Sequence, residues 1–111
     1  VKSLDHYILM VYGTTMKTKA ALVLNRKETF SDGTIVQIVV WTLPIPLKGS
    51  LHRYKYRLYF GKDGTCLVRY DNEHGKGDHK HVAGLEEPYR FKDVNTLLDN
   101  FWEDVERTGD D

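Results

Sequence analysis

An α+β fold, one antiparallel sheet of four or five strands packed against a C-terminal amphipathic helix, is predicted by three features of the sequence. Between residues 21 and 70, runs rich in β-branched and aromatic residues alternate in polarity and are separated by glycine-containing turns. Beyond Asp93 the apolar residues change to helical spacing, at Val94, Leu97, Leu98, Phe101, Trp102 and Val105. The length of 111 residues suits one core. The chain is therefore read as a single domain, with residues 1–20 as an N-terminal extension and 21–111 as the core.

Each element has its own signal. "SLDHYILMVY" fits a helix capped by Ser3 and a strand equally well, and Gly13 ends it. "KAALVLNRKETF" and "TIVQIVVWTL" read as two strands joined by a tight turn at Ser31-Asp32-Gly33. Pro44 and Pro46 in "PIPLKGS" cannot donate to a ladder, so that segment is a loop or an edge. In "YKYRLYF", Tyr54, Tyr56, Leu58 and Phe60 share one face, while Lys55, Arg57 and Tyr59 share the other. "GKDG" turns the chain, "TCLVRY" returns antiparallel, and "HKHVAG" adds a short fifth strand. Asp93 is the N-cap of the final helix, Asp99, Glu103, Asp104 and Glu106 line its wet side, and Gly109 follows its end. Trp41 and Trp102 are assigned to the core.

Composition narrows the classes of function. A hydrophobic fraction of 41% with 13 aromatic residues (four Phe, two Trp, seven Tyr) argues against disorder. Cys66 is the single cysteine, which removes a disulfide framework or a cysteine zinc cluster and fits a cytoplasmic protein. "YILMVY" is too short to span a bilayer, which takes about 20 apolar residues, or to serve as a signal peptide. The net charge is zero but uneven: residues 46–82 carry eight basic against four acidic side chains, and residues 83–111 three against nine. A basic working surface beside an acidic helix follows from that division.

"YDNEHGKGDHKH", residues 70–81, concentrates three of the five histidines with three carboxylates, two lysines and two glycines. If the chain is extended there, His79 and His81 project from one face with Lys80 opposite. Two adjacent imidazoles suit acid/base work, because imidazole titrates near neutral pH. They equally suit a divalent metal, with Asp71, Glu73 or Asp78 as third ligand. Gly75-Lys76-Gly77 offers a backbone that approaches an anion closely. Arg57 and Lys55 on the neighbouring strand, joined by Arg69, with Arg53 and His52 just before it, extend a cationic surface interleaved with tyrosine.

That set matches the needs of RNA cleavage: His79 and His81 as acid and base, His52 and Glu73 as accessories, and Lys76, Arg57, Lys55 and Arg53 on phosphate. Asp71, Asn72, Gly75, Gly77 and Asp78 shape the loop through side-chain and glycine turns. No cofactor is required in this scheme. The alternatives are a metal-dependent nuclease using the His-x-His pair and a non-catalytic nucleic-acid-binding or regulatory module.

"GSLHRYKYRL", "YDNEHGKGDHKH" and "EEPYRF", in this order before a C-terminal helix, resemble the TumE family of toxin-antitoxin proteins. The resemblance covers roughly residues 26–106 and leaves the first 20 outside. It implies a type II toxin held in check by a cognate helix-turn-helix antitoxin; RNA as target rests on the chemistry above, and self-association is left open. It carries no catalytic assignment. His74 stands where arginine is common in that family, which sets it outside the catalytic group.

Overall fold

Backbone pairing follows the order of the chain. The structure, a computed structural model, describes residues 19–109; the ambiguous "SLDHYILMVY" segment lies outside the described residues. Six strands form one antiparallel meander in the order β1 to β6. They are β1 (Ala21–Thr29), β2 (Thr34–Thr42), β3 (Tyr54–Lys62), β4 (Thr65–Glu73), β5 (Gly77–Val82) and β6 (Leu85–Pro88), followed by helix α1 (Val94–Gly109).

The sheet therefore has six strands, not four or five, among the described residues. The additional strand is "LEEP", four exposed residues without polar alternation, which pairs only because Ala83 and Gly84, both at positive φ, fold it back on β5. The stretch 70–81 is likewise a hairpin and not a loop: β4 runs on to Glu73, and β5 begins at Gly77.

One face of the sheet builds the core. Val36, Ile38, Val40, Tyr56, Leu58, Phe60, Val68 and Tyr70 are buried together with Leu97, Phe101 and Val105 of α1. The cross-strand register places these residues in line, Val40 opposite Tyr56, Ile38 opposite Leu58, and Leu58 opposite Tyr70. Phe101 meets the Tyr70 ring edge-on at 5.8 Å, and Tyr89 packs on Tyr70 at 4.9 Å. At the start of α1, the Asp93 side chain accepts the Thr96 amide at 2.7 Å, the cap expected from sequence. Leu43 and Leu47 from the proline segment form a smaller cluster with Trp41.

Asp104 departs from the expected wet side of the helix. It is buried to 1% exposure, accepts from the Tyr70 hydroxyl and Arg107, and lies 3.2 Å from Lys80 Nζ. Its position explains this: with Leu97 and Phe101 it completes an i, i+4, i+7 row on the inward side. The charge made it read as surface, but Tyr70 and Lys80 from the sheet receive it. Asp99, Glu103 and Glu106 are exposed as expected.

Burial alone would raise the Asp104 carboxyl, but hydrogen bonds from Tyr70, Arg107 and Lys80 hold it below its ordinary value. A carboxylate whose folded value is depressed contributes stability above its unfolded value, near ~3.9, and that contribution is lost as pH falls through the lower folded value. Asp104→Asn should cost about 3 kcal/mol at neutral pH, the low end for breaking a buried pair, because Lys80 keeps Glu87 at 3.6 Å. Urea midpoints measured from neutral pH down past pH ~3.9 should converge for wild type and variant; a constant gap would contradict the assignment. Phe101→Ala, at 0% exposure, should cost about 3–5 kcal/mol in the same assay.

Candidate functional site

Strand alternation turns the second set of side chains on β3 to β6 toward the other face. Arg57 lies opposite Asp71, Asp71 opposite His79, and His79 opposite Pro88. One step along, Tyr59 is opposite Arg69, Arg69 opposite His81, and His81 opposite Glu86. Two rows of chemistry-bearing residues therefore cross the sheet side by side. The predicted pairing of His79 with His81 on one face holds, with ring centroids 5.8 Å apart. Lys80 points the opposite way, to Asp104.

Contacts within the cluster are dense. His79 Nε2 lies 2.7 Å from Asp71 Oδ1 and 3.6 Å from Glu86 Oε2, while its Nδ1 is 3.3 Å from the Gly77 carbonyl. His81 Nε2 lies 3.0 Å from Glu86 Oε2 and 2.7 Å from Arg69 Nη2. Arg69 Nε stands 3.3 Å from Asp71 Oδ2. Distance and direction disagree at two of these approaches: Asp71 Oδ1 and Arg69 Nε are buried without an aligned hydrogen bond. Direction decides hydrogen bonding, so Asp71 Oδ1 is a carboxylate oxygen near a ring nitrogen with no N–H aimed at it. His79 and Asp71 are buried, His81 is half-buried, and Glu86 is exposed on the edge strand.

Several predicted site residues stand elsewhere. His52 belongs to the helix side of the sheet: its Nε2 donates to Asp78 Oδ2 at 2.7 Å, its Nδ1 accepts from the Tyr54 amide, and its ring stacks on Phe91 at 4.0 Å. Asp78 also accepts from the Tyr56 hydroxyl at 2.7 Å. Both residues are thus committed to a structural knot separated by the sheet from His79 and His81. Lys55 gives its ammonium to the Asn72 carbonyl, and burial pushes its pKa down; it is a strut of the hairpin, not a free phosphate ligand. Arg53 precedes β3, is exposed, and its carbonyl accepts from the Leu43 amide.

Gly75-Lys76-Gly77 is not an anion cradle either. The Gly75 amide donates to the Lys48 carbonyl at 2.8 Å and the Lys76 amide to the Glu73 carbonyl at 3.0 Å, so these two donors are spent. Gly75 and Gly77 take φ of 83° and 76°, the left-handed conformation that a turn of this shape requires. The Lys76 ammonium is exposed, 3.7 Å from Glu73. Of the predicted cations, Arg57 stays exposed on the histidine face, over the Tyr59 ring at 5.2 Å.

Asn72 shapes the site by a route other than a turn. Fully buried, its Oδ1 accepts the Tyr56 amide at 2.9 Å and its Nδ2 donates to the Tyr54 carbonyl at 2.7 Å. The amide side chain thereby continues the β3–β4 ladder where the backbone register stops at Arg57 and Asp71. Asn72→Leu should orphan both backbone groups and cost about 2–6 kcal/mol, at one to three per group. Denaturant unfolding would reveal it, and a loss below half a unit would refute the bridge.

Glu86 was missed from the sequence. Its only signal is the Ala83-Gly84 turn, which implies a two-residue hairpin and puts Glu86 across from His81. Among the described residues, two groups of three potential metal ligands share His79: His79, His81 and Glu86, and Asp71, Glu73 and His79. In each, the donor atoms lie within 4.8 Å of one another.

A six-stranded meander with one helix-covered face and one face bearing paired histidines, carboxylates and arginines defines a small α+β protein with a polar site on an open sheet. The chain belongs to the family described as Toxin TumE, whose model matches residues 8–108. That match begins well before residue 26, so most of the segment assigned to an N-terminal extension falls within the family pattern. No curated protein and no solved structure matches the chain. As a member of a toxin family, the protein has a cognate antitoxin as its implied partner. No helix among the described residues is long and apolar enough to cross a membrane.

Proposed function

We propose that this toxin cleaves RNA at the open face of the sheet, by proton transfer through His79 and His81. The observation that carries the reading is the pairing of two imidazoles on the open face, with ring centroids 5.8 Å apart. His79 Nδ1 lies 3.3 Å from the Gly77 carbonyl, and its Nε2 lies near Asp71 and Glu86. His81, the more exposed of the two rings, has its Nε2 2.7 Å from Arg69 Nη2 and 3.0 Å from Glu86 Oε2. Two imidazoles this close can serve one phosphate, one taking a proton while the other gives one.

RNA supplies its own nucleophile, which two proton-transfer groups are enough to serve. His81 takes the 2′-hydroxyl proton as the 2′-oxygen bonds to phosphorus, and Glu86 beside it supports the charge that the ring gains. The P–O5′ bond breaks, and the leaving oxygen receives a proton from His79. Arg57, and Arg69 once released from His81, carry the negative charge of the phosphorane. Tyr59, under Arg57, offers a ring on which an unpaired base stacks. A helix-turn-helix antitoxin would hold the activity in check.

The test is induction of wild type, His81→Ala and His79→Gln in a bacterium, with growth and total RNA followed, alongside cleavage by the purified proteins. Wild type should arrest growth and fragment RNA, and co-expressed antitoxin should relieve both. Each variant should cleave about 10²- to 10⁴-fold more slowly with an unchanged fold. Variants as toxic as wild type would remove the histidines from the mechanism. Salt-sensitive RNA binding without product would instead mark a nucleic-acid-binding module.

A further inference from the structure

We infer that His79, His81 and Glu86 form a binding site for a divalent transition-metal ion of the zinc type, and that the bound ion silences the toxin. The site stands on the geometry alone; the silencing rests on the proton-transfer reading above.

Ligand spacing is the first support. Glu86 Oε2 lies 3.6 Å from His79 Nε2 and 3.0 Å from His81 Nε2. Donors bonded tetrahedrally at about 2.0–2.1 Å stand about 3.3 Å from one another, so these two separations bracket what a zinc ion requires. The two imidazoles come from one strand at i and i+2, and the carboxylate comes from its hairpin partner, so a short rigid unit presents all three. Imidazole with carboxylate is a donor set that suits zinc, copper and nickel rather than magnesium or calcium.

The second support is independent of spacing. His79 Nδ1 is turned to the Gly77 carbonyl at 3.3 Å, an outer contact that fixes a metal-binding imidazole with Nε2 toward the ion. Beside that nitrogen stands Asp71, 5% exposed, whose Oδ1 lies 2.7 Å away and has no aligned hydrogen bond. A buried carboxylate oxygen left without a donor is costly and is relieved by a cation. Arg69 supplies only part of that charge, since its Nε is itself misaligned.

Arg69 is also the competitor. Its Nη2 sits 2.7 Å from His81 Nε2, the lone pair that an ion would take, so the guanidinium must swing away before the ion binds. The ion then holds both Nε2 atoms through which the proposed proton transfer runs, and cleavage stops. Removing Arg69 should therefore improve metal binding, whereas removing Glu86 should weaken it. Opposite signs from two neighbours are not expected of general surface binding.

The experiment uses the full chain, stripped with chelator and titrated with Zn²⁺ alone by calorimetry, with thermal unfolding read in parallel. Wild type should bind one ion per chain and unfold at higher temperature with it. Glu86→Gln, an exposed edge-strand change, should melt like wild type without metal and bind at least about tenfold more weakly. Arg69→Gln should bind more tightly than wild type. No saturable binding, or equal affinity in Glu86→Gln, would overturn the site. RNA cleavage measured with and without Zn²⁺ should fall with occupancy; a rise would overturn the silencing and make the ion a cofactor. If no cleavage is found in any condition, the calorimetry still decides the site, and the failure lies with the ribonuclease reading.

Discussion

The register of the β4–β5 hairpin governs what each face of this protein does. With Asp71 opposite His79 and Tyr70 opposite Lys80, one set of side chains turns to the helix and the other to the open side. Because strand side chains alternate with a period of two, a slip of one residue would bury His79 and His81 under the helix and leave Lys80 outside. Two features fix the alignment. Val68, Tyr70 and Asn72 fill the covered face, and the left-handed glycines 75 and 77 fix the hairpin end.

Each face of this hairpin carries a buried carboxylate. Asp104 reaches down from the helix to Tyr70 and Lys80, and Asp71 stands on the other side near His79 and Arg69. The first is well served by donors; the second keeps an oxygen without an aligned partner. Buried ion pairs stabilise little in net terms, but their geometry is demanding. The Asp104 network accordingly ties α1 to the sheet, while Asp71 Oδ1 keeps no aligned donor.

The division of labour follows from the same alternation. Residues of mixed function in the motif, such as the two histidines and Asp78, are separated by the sheet although adjacent in sequence. Asp78 serves the aromatic knot of His52, Tyr56 and Phe91, which anchors the segment leading into β3. His79 and His81 are left to the open face, flanked by arginines that the helix does not cover.

Periodicity by itself determined much of this protein. Alternation in "YKYRLYF" and "TIVQIVVWTL", glycine turns, and helical spacing after Asp93 gave the strands, the capped helix, its Leu97 and Phe101 contacts, and the shared face of His79 and His81. These are local properties, set by neighbouring residues and by fixed repeats of 2 and 3.6. Tertiary structure alone decided the rest. Asp104 looked like surface until Tyr70 and Lys80 met it, His52 looked catalytic until Asp78 took it, and the glycine-flanked lysine looked like a cradle until Lys48 and Glu73 claimed its amides. Glu86 joined the histidines only through the pairing of a strand that carries no pattern. A polar side chain takes its role from the partner that desolvates and satisfies it, and that partner lies far along the chain or across a turn where sequence spacing does not reach.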